Sequence, residues 1–379
     1  MNPANRIYFD NAATTPLDPL VLEEMLPYFK VHFGNPSSIY SYGREAKLGI
    51  EKARKKVAEL LHCSPGEIIF TSGGTESINT AIHSAVKDLQ IKRVITTKLE
   101  HHATVHTLDT FRIEDKIDIQ YLTLDPKGQI NYDELELLLK NNTEKTLVCL
   151  MHANNEIGNL LKVKKVSDIC LEYKALFFCD TVQTVGHYPI DLSQVHIDFI
   201  TGACHKFHGP KGVGLLYKNR NTPYAPLIHG GAQERNNRAG TENIYGIVGF
   251  AKALELAMSN YSEHQEHILG LKKYCHDQIQ IHFPYFQFNG TVLDNNLYTV
   301  LNFTIPADKH NDTLVINLDL NDICVSAGSA CSSGATSHSH VIEAIQPNFK
   351  GSPLRVSFSH YNTLAEVDRF ITVLKQILV

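Results

Sequence analysis

The sequence predicts an α/β fold in which helices flank a mostly parallel, mixed sheet and a smaller α+β domain follows. Seven short apolar runs lie between residues 67 and 217, and stretches with helical periodicity separate them. This alternation is typical of parallel strands joined by crossover helices. Beyond residue 244, a long helical region leads into a shorter pattern of strands and helices. With 379 residues, the chain is long enough for one large and one smaller domain.

The chain begins with two predicted helices. Residues 18–33 form the first, with Asp18 as its N-cap and Pro19 at its first position, and residues 42–62 form the second. The predicted strands of the large sheet are 67–71, 93–97, 118–122, 146–152, 175–179, 198–201 and 213–217. A Gly-Pro-Lys-Gly turn at 209–212 precedes the last run, so we expect that run to be an antiparallel member.

The C-terminal part predicts a smaller α+β unit. Its expected strands lie near 298–304, 323–326 and 354–358. Its expected helices lie around 311–318 and 363–378. We place the boundary inside the helical region 244–281, near residue 260. This gives a large domain of residues 1–260 and a small domain of residues 261–379. We expect residues 1–15 to pack on the small domain.

Composition excludes several classes of protein. A formal net charge of -5 leaves no basic footprint for nucleic acid, so no direct nucleic-acid partner is expected. No apolar run reaches the length of a membrane span, and the N-terminal residues lack the pattern of a signal peptide. We therefore expect a cytoplasmic protein with no membrane partner. The eight cysteines include no CxxC pair, which argues against a disulfide framework or a zinc ribbon.

Lys206 follows a buried apolar run and precedes the turn at 209–212. An amine must lose its proton to attack a carbonyl, and partial burial favours that because it disfavours the ammonium form. His205 lies beside it. These features suit imine chemistry, although a solvated lysine at a hairpin would have the same local pattern.

Polar clusters follow the other predicted strands. The Gly-Gly turn in FTSGGTES (70–77) opens a helix, whose N–H groups and dipole favour a phosphate. Asp180, with Gln183 three residues on, either caps a helix or pairs with a protonated ring nitrogen, which an electron-sink cofactor needs. Either His101 or His102 lies at the end of another strand, where ligands of open α/β sheets bind. Together with Lys206, these clusters point to pyridoxal phosphate.

Cys331 differs from the other cysteines because small residues surround it in VSAGSACSSGATSHSH (325–340). A thiol in such a segment is a usable nucleophile. His338 and His340 raise a metal site with Cys331 as an alternative, but their spacing is not that of known zinc ligands. We therefore expect no metal.

Ten motifs appear in one recognisable order. They are YFDNAATTP, FGNPSS, FTSGGTES, EHHA, HANNEIG, CDTVQ, HKFHGPKGVG, GGAQERNNRAGTEN, SAGSACSSG and LRVSFS. The set resembles the cysteine desulfurases of the class V aminotransferase family, from about residue 7 to residue 378. The SAGSAC segment resembles the subgroup that supplies sulfur for iron–sulfur clusters and transfer-RNA thiolation.

The resemblance implies a fold-type I pyridoxal-phosphate transferase that works as a homodimer. Such an enzyme converts L-cysteine to L-alanine and transfers the sulfur to Cys331 as a persulfide, for delivery to acceptor proteins. Lys206 would be the Schiff-base lysine and proton shuttle, with His101 stacked on the cofactor ring. The remaining implied cofactor contacts are Asp180 at the ring nitrogen, Gln183 at the ring oxygen, Gly74, Thr75 and His205 at the phosphate, Asn155, and Thr241 across the homodimer interface. The implied substrate-binding residues are Arg355 and Asn155, with Asn35 nearby.

Three positions depart from the family pattern. Ala203 stands where a phosphate-binding serine is usual, so we expect a bound water, or else Thr201, to replace the hydroxyl. Cys204 and Tyr40 replace a small residue and a histidine, and both changes leave the chemistry intact. An aminotransferase or selenocysteine lyase of the same fold is the alternative activity, and the thiol of Cys331 favours desulfuration. A catalytically inactive scaffold would have lost Lys206 or Cys331.

Overall fold

The computed structural model describes residues 6–306, 313–327, 339–347 and 350–378. The strands are β1 (Ile7–Tyr8), β2 (Ile68–Thr71), β3 (Arg93–Thr96), β4 (Asp118–Tyr121), β5 (Thr146–Met151), β6 (Leu176–Asp180), β7 (Phe199–Ala203), β8 (Gly214–Lys218), β9 (Gln287–Phe288), β10 (Val300–Pro306), β11 (Ile323–Cys324) and β12 (Gly351–Ser357). The helices are α1 (Pro19–Lys30), α2 (Ser41–Leu60), α3 (Gly74–His83), α4 (His102–Glu114), α5 (Tyr132–Lys140), α6 (Val163–Glu172), α7 (Ile244–Ser259), α8 (Tyr261–His282), α9 (Leu314–Leu320), α10 (His340–Ile345) and α11 (Leu364–Leu378).

The large sheet has seven strands in the order β2-β8-β7-β6-β5-β3-β4. Strand β8 is antiparallel to both of its neighbours, and the remaining strand pairs are parallel. The mostly parallel, mixed sheet predicted from the sequence is therefore confirmed, including the antiparallel return. Among the described residues, no helix is both long and apolar enough to cross a bilayer.

Both faces of the large sheet are buried. Adjacent residues such as Val94 and Ile95, or Leu147 and Val148, point to opposite sides, as the period of two in a strand requires. One side packs against α1, α2, α5, α6 and α7, and the other against α3 and α4. The strands therefore read as continuous apolar runs rather than alternating ones.

A separate apolar cluster joins α8, α9 and α11 to the C-terminal strands. Strands β12, β10 and β9 form a three-stranded antiparallel sheet, and β1 pairs with β11 in parallel. Ile7 and Phe9 from the start of the chain are buried in this cluster. The helical region predicted at 244–281 is two helices that meet at Asn260. The domain boundary predicted near residue 260 stays a prediction.

The remaining differences concern short elements. Strand β9 and helix α10 were not predicted, because two and six residues carry no readable periodicity. Helix α9 ends two residues beyond the predicted range 311–318, of which residues 311 and 312 lie outside the described residues. The predicted N-cap is confirmed, since the side chain of Asp18 accepts a hydrogen bond from the N–H of Leu20 at 2.7 Å.

A buried ion pair ties α2 to the edge of the large sheet. Both terminal nitrogens of Arg54 donate to the Glu234 carboxylate, at 2.8 and 2.7 Å, and both side chains are 2% exposed. The same carboxylate accepts from the N–H of Phe70, and Arg54 also donates to the carbonyl of Ile68. Removing the charge of Glu234 would leave this buried guanidinium with Glu51, a partly exposed carboxylate that accepts from its Nε at 3.2 Å, as its remaining counter-ion.

We predict that Glu234→Gln lowers the free energy of unfolding by about 3–5 kcal/mol, as breaking a buried pair does. Glu255→Gln is the matched control, because Glu255 is 39% exposed and its pairs with Lys56 and Lys252 are surface pairs. That change should cost less than about 1 kcal/mol. Denaturant unfolding measures both, and an unchanged midpoint for Glu234→Gln would contradict the prediction.

Candidate active site

The site lies where parallel strands of the large sheet end together. Strands β2, β3, β5, β6 and β7 point the same way, so their carboxyl ends share one edge of the sheet. This edge is where open α/β sheets bind ligands. The predicted site residues that these strands deliver there are Gly74 and Thr75, His101, Asn155, Asp180 and Gln183, and His205 and Lys206, in the order of the strands.

These residues surround one cavity of about 220 Å³. The sequence-predicted residues that line it are Gly74, Thr75, His101, Asn155, Asp180, Gln183, His205, Lys206 and Arg355. Arg355 comes from β12, so the C-terminal strands contribute to the same cavity as the large sheet. Ala203, at the position where the family has serine, is also part of the lining.

Lys206 is held by the N-terminal segment of the chain. It follows β7 in a short helical turn, and its Nζ donates to the carbonyls of Ala12 and Ala13 at 2.6 and 2.8 Å. His187 contacts the Lys206 carbonyl through Nε2 at 3.0 Å. The lysine is therefore a partly buried group of the cavity rather than a solvated residue at a hairpin.

Asp180 ends β6 and is 4% exposed. Its Oδ1 accepts from the N–H of Val182 at 2.9 Å and from the hydroxyl of Thr201 at 3.0 Å. Asp180 thus stabilises the turn and also presents a carboxylate to the cavity. Because Thr201 is engaged with Asp180, it does not replace the hydroxyl that Ala203 lacks.

The two histidines of the cavity favour their neutral forms. Burial lowers the pKa of His101, with Lys206 acting in the same direction and Asp180 opposing it. Burial, together with Lys206 and Lys211, lowers the pKa of His205 to about 4. His101 also caps α4, since its Nδ1 accepts from the N–H of Ala103 at 3.1 Å. A neutral ring can lie against an aromatic ligand without adding a charge that would repel a cation.

The start of α3 suits a phosphate. The first N–H groups of a helix have no partner within it, and here they lie beside Thr75 and His205 on the cavity wall. A Cβ at Gly74 would lie 2.8 Å from Val182 Cγ2 and 3.6 Å from Ala203 Cβ, so only glycine leaves this corner open. The cavity thus offers N–H and hydroxyl donors at one corner and the Asp180 carboxylate at another.

Arg355 supplies the cation of the cavity. It is 1% exposed and donates to the carbonyl of Asn155 at 2.9 Å and to Asp10 Oδ1 at 2.7 Å. Its Nε finds no acceptor among the described residues. A buried guanidinium on the cavity wall suits a ligand carboxylate.

Three predicted residues do not line this cavity. Asn35 is exposed, and its side-chain oxygen accepts from the N–H of Ser37. Thr241 lies at a separate cavity of about 110 Å³ that Glu234 and Arg238 also line, and the prediction assigns it to the partner's cofactor. Cys331 lies outside the described residues, as does His338.

Asp10 and the carbonyls of Ala12 and Ala13 were not predicted as site groups. They belong to YFDNAATTP, whose place among the family motifs was the only signal. Glu100 was also missed: it is 1% exposed, and its Oε1 accepts from the hydroxyl of Thr97 and the N–H of Met151. Its Oε2 has no partner among the described residues. Burial, with a smaller effect from Asp180, raises the pKa of Glu100 to about 8.

We predict that Glu100→Gln gains stability relative to the parent protein as the pH rises from 5 to 8. The native carboxyl keeps its proton until the pH approaches its pKa of about 8, while the unfolded one ionises at lower pH, so the parent loses up to about 1.4 kcal/mol per pH unit between the two pKa values that a glutamine does not. Denaturant unfolding at several pH values measures the difference. Parallel pH profiles of the two proteins would show that Glu100 is ionised in the native state.

Comparison with known proteins identifies relatives over nearly the whole chain. Residues 7–370 match the model of the family described as aminotransferase class V. The cysteine desulfurase IscS of Dictyoglomus turgidum is 41% identical over 98% of this chain and 94% of its own. A putative cysteine desulfurase of Bacillus subtilis, IscS 1, is 40% identical over 96% of each chain. A solved NifS-like protein superimposes with a TM-score of 0.90 at 36% identity, covering 98% of this chain and 99% of its own. The chain belongs to the class V aminotransferase family.

Proposed function

We propose that the protein is a pyridoxal-phosphate-dependent cysteine desulfurase. It converts L-cysteine to L-alanine and transfers the sulfur to Cys331 as a persulfide, for iron–sulfur cluster assembly or transfer-RNA thiolation. The observation that carries the proposal is the single cavity that joins the α3 N-terminus, Asp180, Lys206 and Arg355. Its relatives, named cysteine desulfurases at about 40% identity over the full chain, support the same activity.

The donor set fits the cofactor. The α3 N-terminus, Thr75 and His205 would hold its phosphate, and the absence of a side chain at Gly74 leaves space for it.

Three further residues would hold the rest of the cofactor. Lys206 would bind its carbonyl carbon, Asp180 would pair with its protonated ring nitrogen, and Gln183 would donate to its ring oxygen. When bound, the cofactor withdraws electrons from the substrate carbon. His101 would lie against the ring, and its neutral form leaves the positive charge at the ring nitrogen to Asp180.

Arg355 and Asn155 would bind the substrate carboxylate. The guanidinium of Arg355 belongs to the cavity wall, and its buried, low-dielectric position strengthens a hydrogen bond to an anion. Asp10 and the Asn155 carbonyl fix the guanidinium, so it does not reorganise when the substrate arrives. Lys206 would carry the α-proton of the substrate, because its Nζ lies at the cavity beside the carbonyls of Ala12 and Ala13.

The sulfur transfer needs no external oxidant, because the oxidation of the sulfur is matched by the reduction of the substrate carbon. The Cys331 thiolate attacks the sulfur of L-cysteine, a sulfur–sulfur bond forms and the carbon–sulfur bond breaks. The electron pair of the broken bond stays on the substrate carbon, which takes up a proton and becomes the methyl group of alanine. Cys331 then holds the sulfane sulfur for an acceptor protein.

We also propose that the protein is a homodimer. An apolar surface on α1, α2 and the segment between them stays exposed in the single chain, with Phe33 at 65% and Ile39 at 88% exposure. Rings there are already stacked, Phe29 on Tyr245 at 4.1 Å and Phe33 on Tyr42 at 5.3 Å. A second copy that covers this surface would bring Thr241 toward the partner's site.

The thiols of the described residues support a reducing compartment. The seven cysteines of the described residues are all unpaired, which fits a reducing environment. We therefore propose that the protein acts in the cytoplasm, where sulfur-acceptor proteins would receive the sulfur.

The direct test incubates the cofactor-loaded protein with L-cysteine and measures alanine and protein-bound persulfide. We predict both products for the parent protein, and loss of both for Cys331→Ser, because a hydroxyl is a far poorer nucleophile toward sulfur. Cys331→Ser should keep the absorbance of the bound cofactor and still bind L-cysteine.

Cys324→Ser is the matched control. Cys324 is partly exposed, whereas Cys204 is fully buried and burial raises its pKa far above the usual range. Cys324→Ser should form alanine and persulfide at the parental rate. Persulfide on the Cys331→Ser protein would mean that another cysteine, such as the partly exposed Cys63 or Cys324, is the acceptor, and would contradict the assignment.

A further inference from the structure

We propose that His340 is a positioning residue for the sulfur-transfer step. It would act by fixing the downstream end of the segment that contains Cys331 to the chain segments that carry His101 and Asn155. The inference rests on the proposed desulfurase activity. Residues 339–347 follow the segment 328–338 in the chain, and their contacts support the proposal.

His340 joins two groups that adjoin His101 in sequence. Its Nδ1 lies 3.0 Å from His102 Nε2, and its Nε2 lies 3.0 Å from the carbonyl of Glu100. A carbonyl only accepts, so His340 Nε2 carries the proton and its Nδ1 accepts from His102. Both ring nitrogens are thus engaged, and neither is available to a metal ion.

The neighbouring residue makes a second polar attachment. Ser339 caps α10 and donates its hydroxyl to Glu156 Oε2, and Glu156 is fully buried. Glu156 directly follows Asn155, which we assign to the substrate carboxylate. The hydrogen bond of Ser339 is therefore made to a residue next to the proposed substrate-binding Asn155. The hydrogen bonds of His340 are likewise made to residues next to the proposed cofactor-binding His101.

Apolar packing locks α10 in this place. Val341, Ile342 and Ile345 form one buried cluster with Leu99 and Ile157. Leu99 precedes Glu100, and Ile157 follows Glu156. The apolar contacts of α10 are therefore made to the same two chain segments as its polar contacts. A helix of six residues is too short to be stable in isolation, so these tertiary contacts must stabilise it.

The upstream end is tied to a third site residue. Ser326 exchanges two backbone hydrogen bonds with Arg355, at 3.2 and 2.7 Å. The connection that contains Cys331 therefore starts beside Arg355 and ends beside His101 and Asn155. Fixing both ends of a short connection raises the effective concentration of its groups near the site. Loosening the His340 end should lower the rate at which the thiol meets the substrate sulfur.

The test compares three substitutions at His340 in the cofactor-loaded protein. His340→Ala removes both contacts; His340→Asn keeps an acceptor near Nδ1 for His102; His340→Gln keeps a donor near Nε2 for Glu100. We expect kcat for alanine formation to fall about tenfold or more in His340→Ala, as misplacement of reacting groups does. The KM for L-cysteine and the cofactor absorbance should stay within about twofold of the parent, and His340→Asn or His340→Gln should recover part of kcat.

His106→Gln is the matched control. His106 belongs to the same group of rings, 5.1 Å from His102 between centroids, but it is exposed and does not contact His340. It should keep the parental kcat. Parental kcat in all three His340 variants would overturn the proposal, and so would a loss of kcat that only follows a loss of bound cofactor. Failure of the parent protein to form alanine would instead refute the desulfurase activity itself.

Discussion

The shared direction of five strands is the constraint on which the site depends. Parallel strands bring their carboxyl ends to one edge of the sheet, so residues far apart in sequence meet there without any long-range motif. Five residues of the cavity lining each lie at or just beyond the end of a different strand: Thr75, His101, Asn155, Asp180 and Lys206. The antiparallel strand β8 does not disturb this alignment, because it lies between β2 and β7 and leaves them parallel to each other.

The two ends of the chain complete the polar lining of the cavity. The N-terminal segment supplies the carbonyls that hold Lys206 and the carboxylate of Asp10, and β12 supplies Arg355. A guanidinium that is 1% exposed would be costly to bury alone, and Asp10 compensates its charge. The same arginine pairs through its backbone with Ser326, so the carboxylate site and the segment that contains Cys331 share one attachment.

Much of this arrangement could be predicted because it is local in sequence. A buried strand that leads to Asp180 or to Lys206 is visible as an apolar run and a polar residue, and the parallel direction of most strands follows from the alternation of strands and helices. The contacts of Asp10, Thr201 and Glu100 could not be predicted this way. Their partners lie far away in sequence or one strand across the sheet, and no periodicity in the chain marks a pairing between side chains.

His340 shows the same limit at a single residue. In the sequence it stands two residues from His338 and suggests a metal ligand, whereas in the structure His102 and the Glu100 carbonyl use both of its ring nitrogens. Short elements such as α10 take their place from packing rather than from propensity. Their function is therefore visible only when the surface against which they pack is known.

The account depends most directly on Lys206 as the residue that binds the cofactor. The decisive measurement is to load the protein with pyridoxal phosphate, reduce it with borohydride and locate the attached pyridoxyl group by peptide mass spectrometry. The account predicts a yellow protein before reduction and a single modified residue, Lys206, afterwards. A colourless protein that takes up no pyridoxal phosphate, or a pyridoxyl group on another lysine such as Lys211, would contradict it.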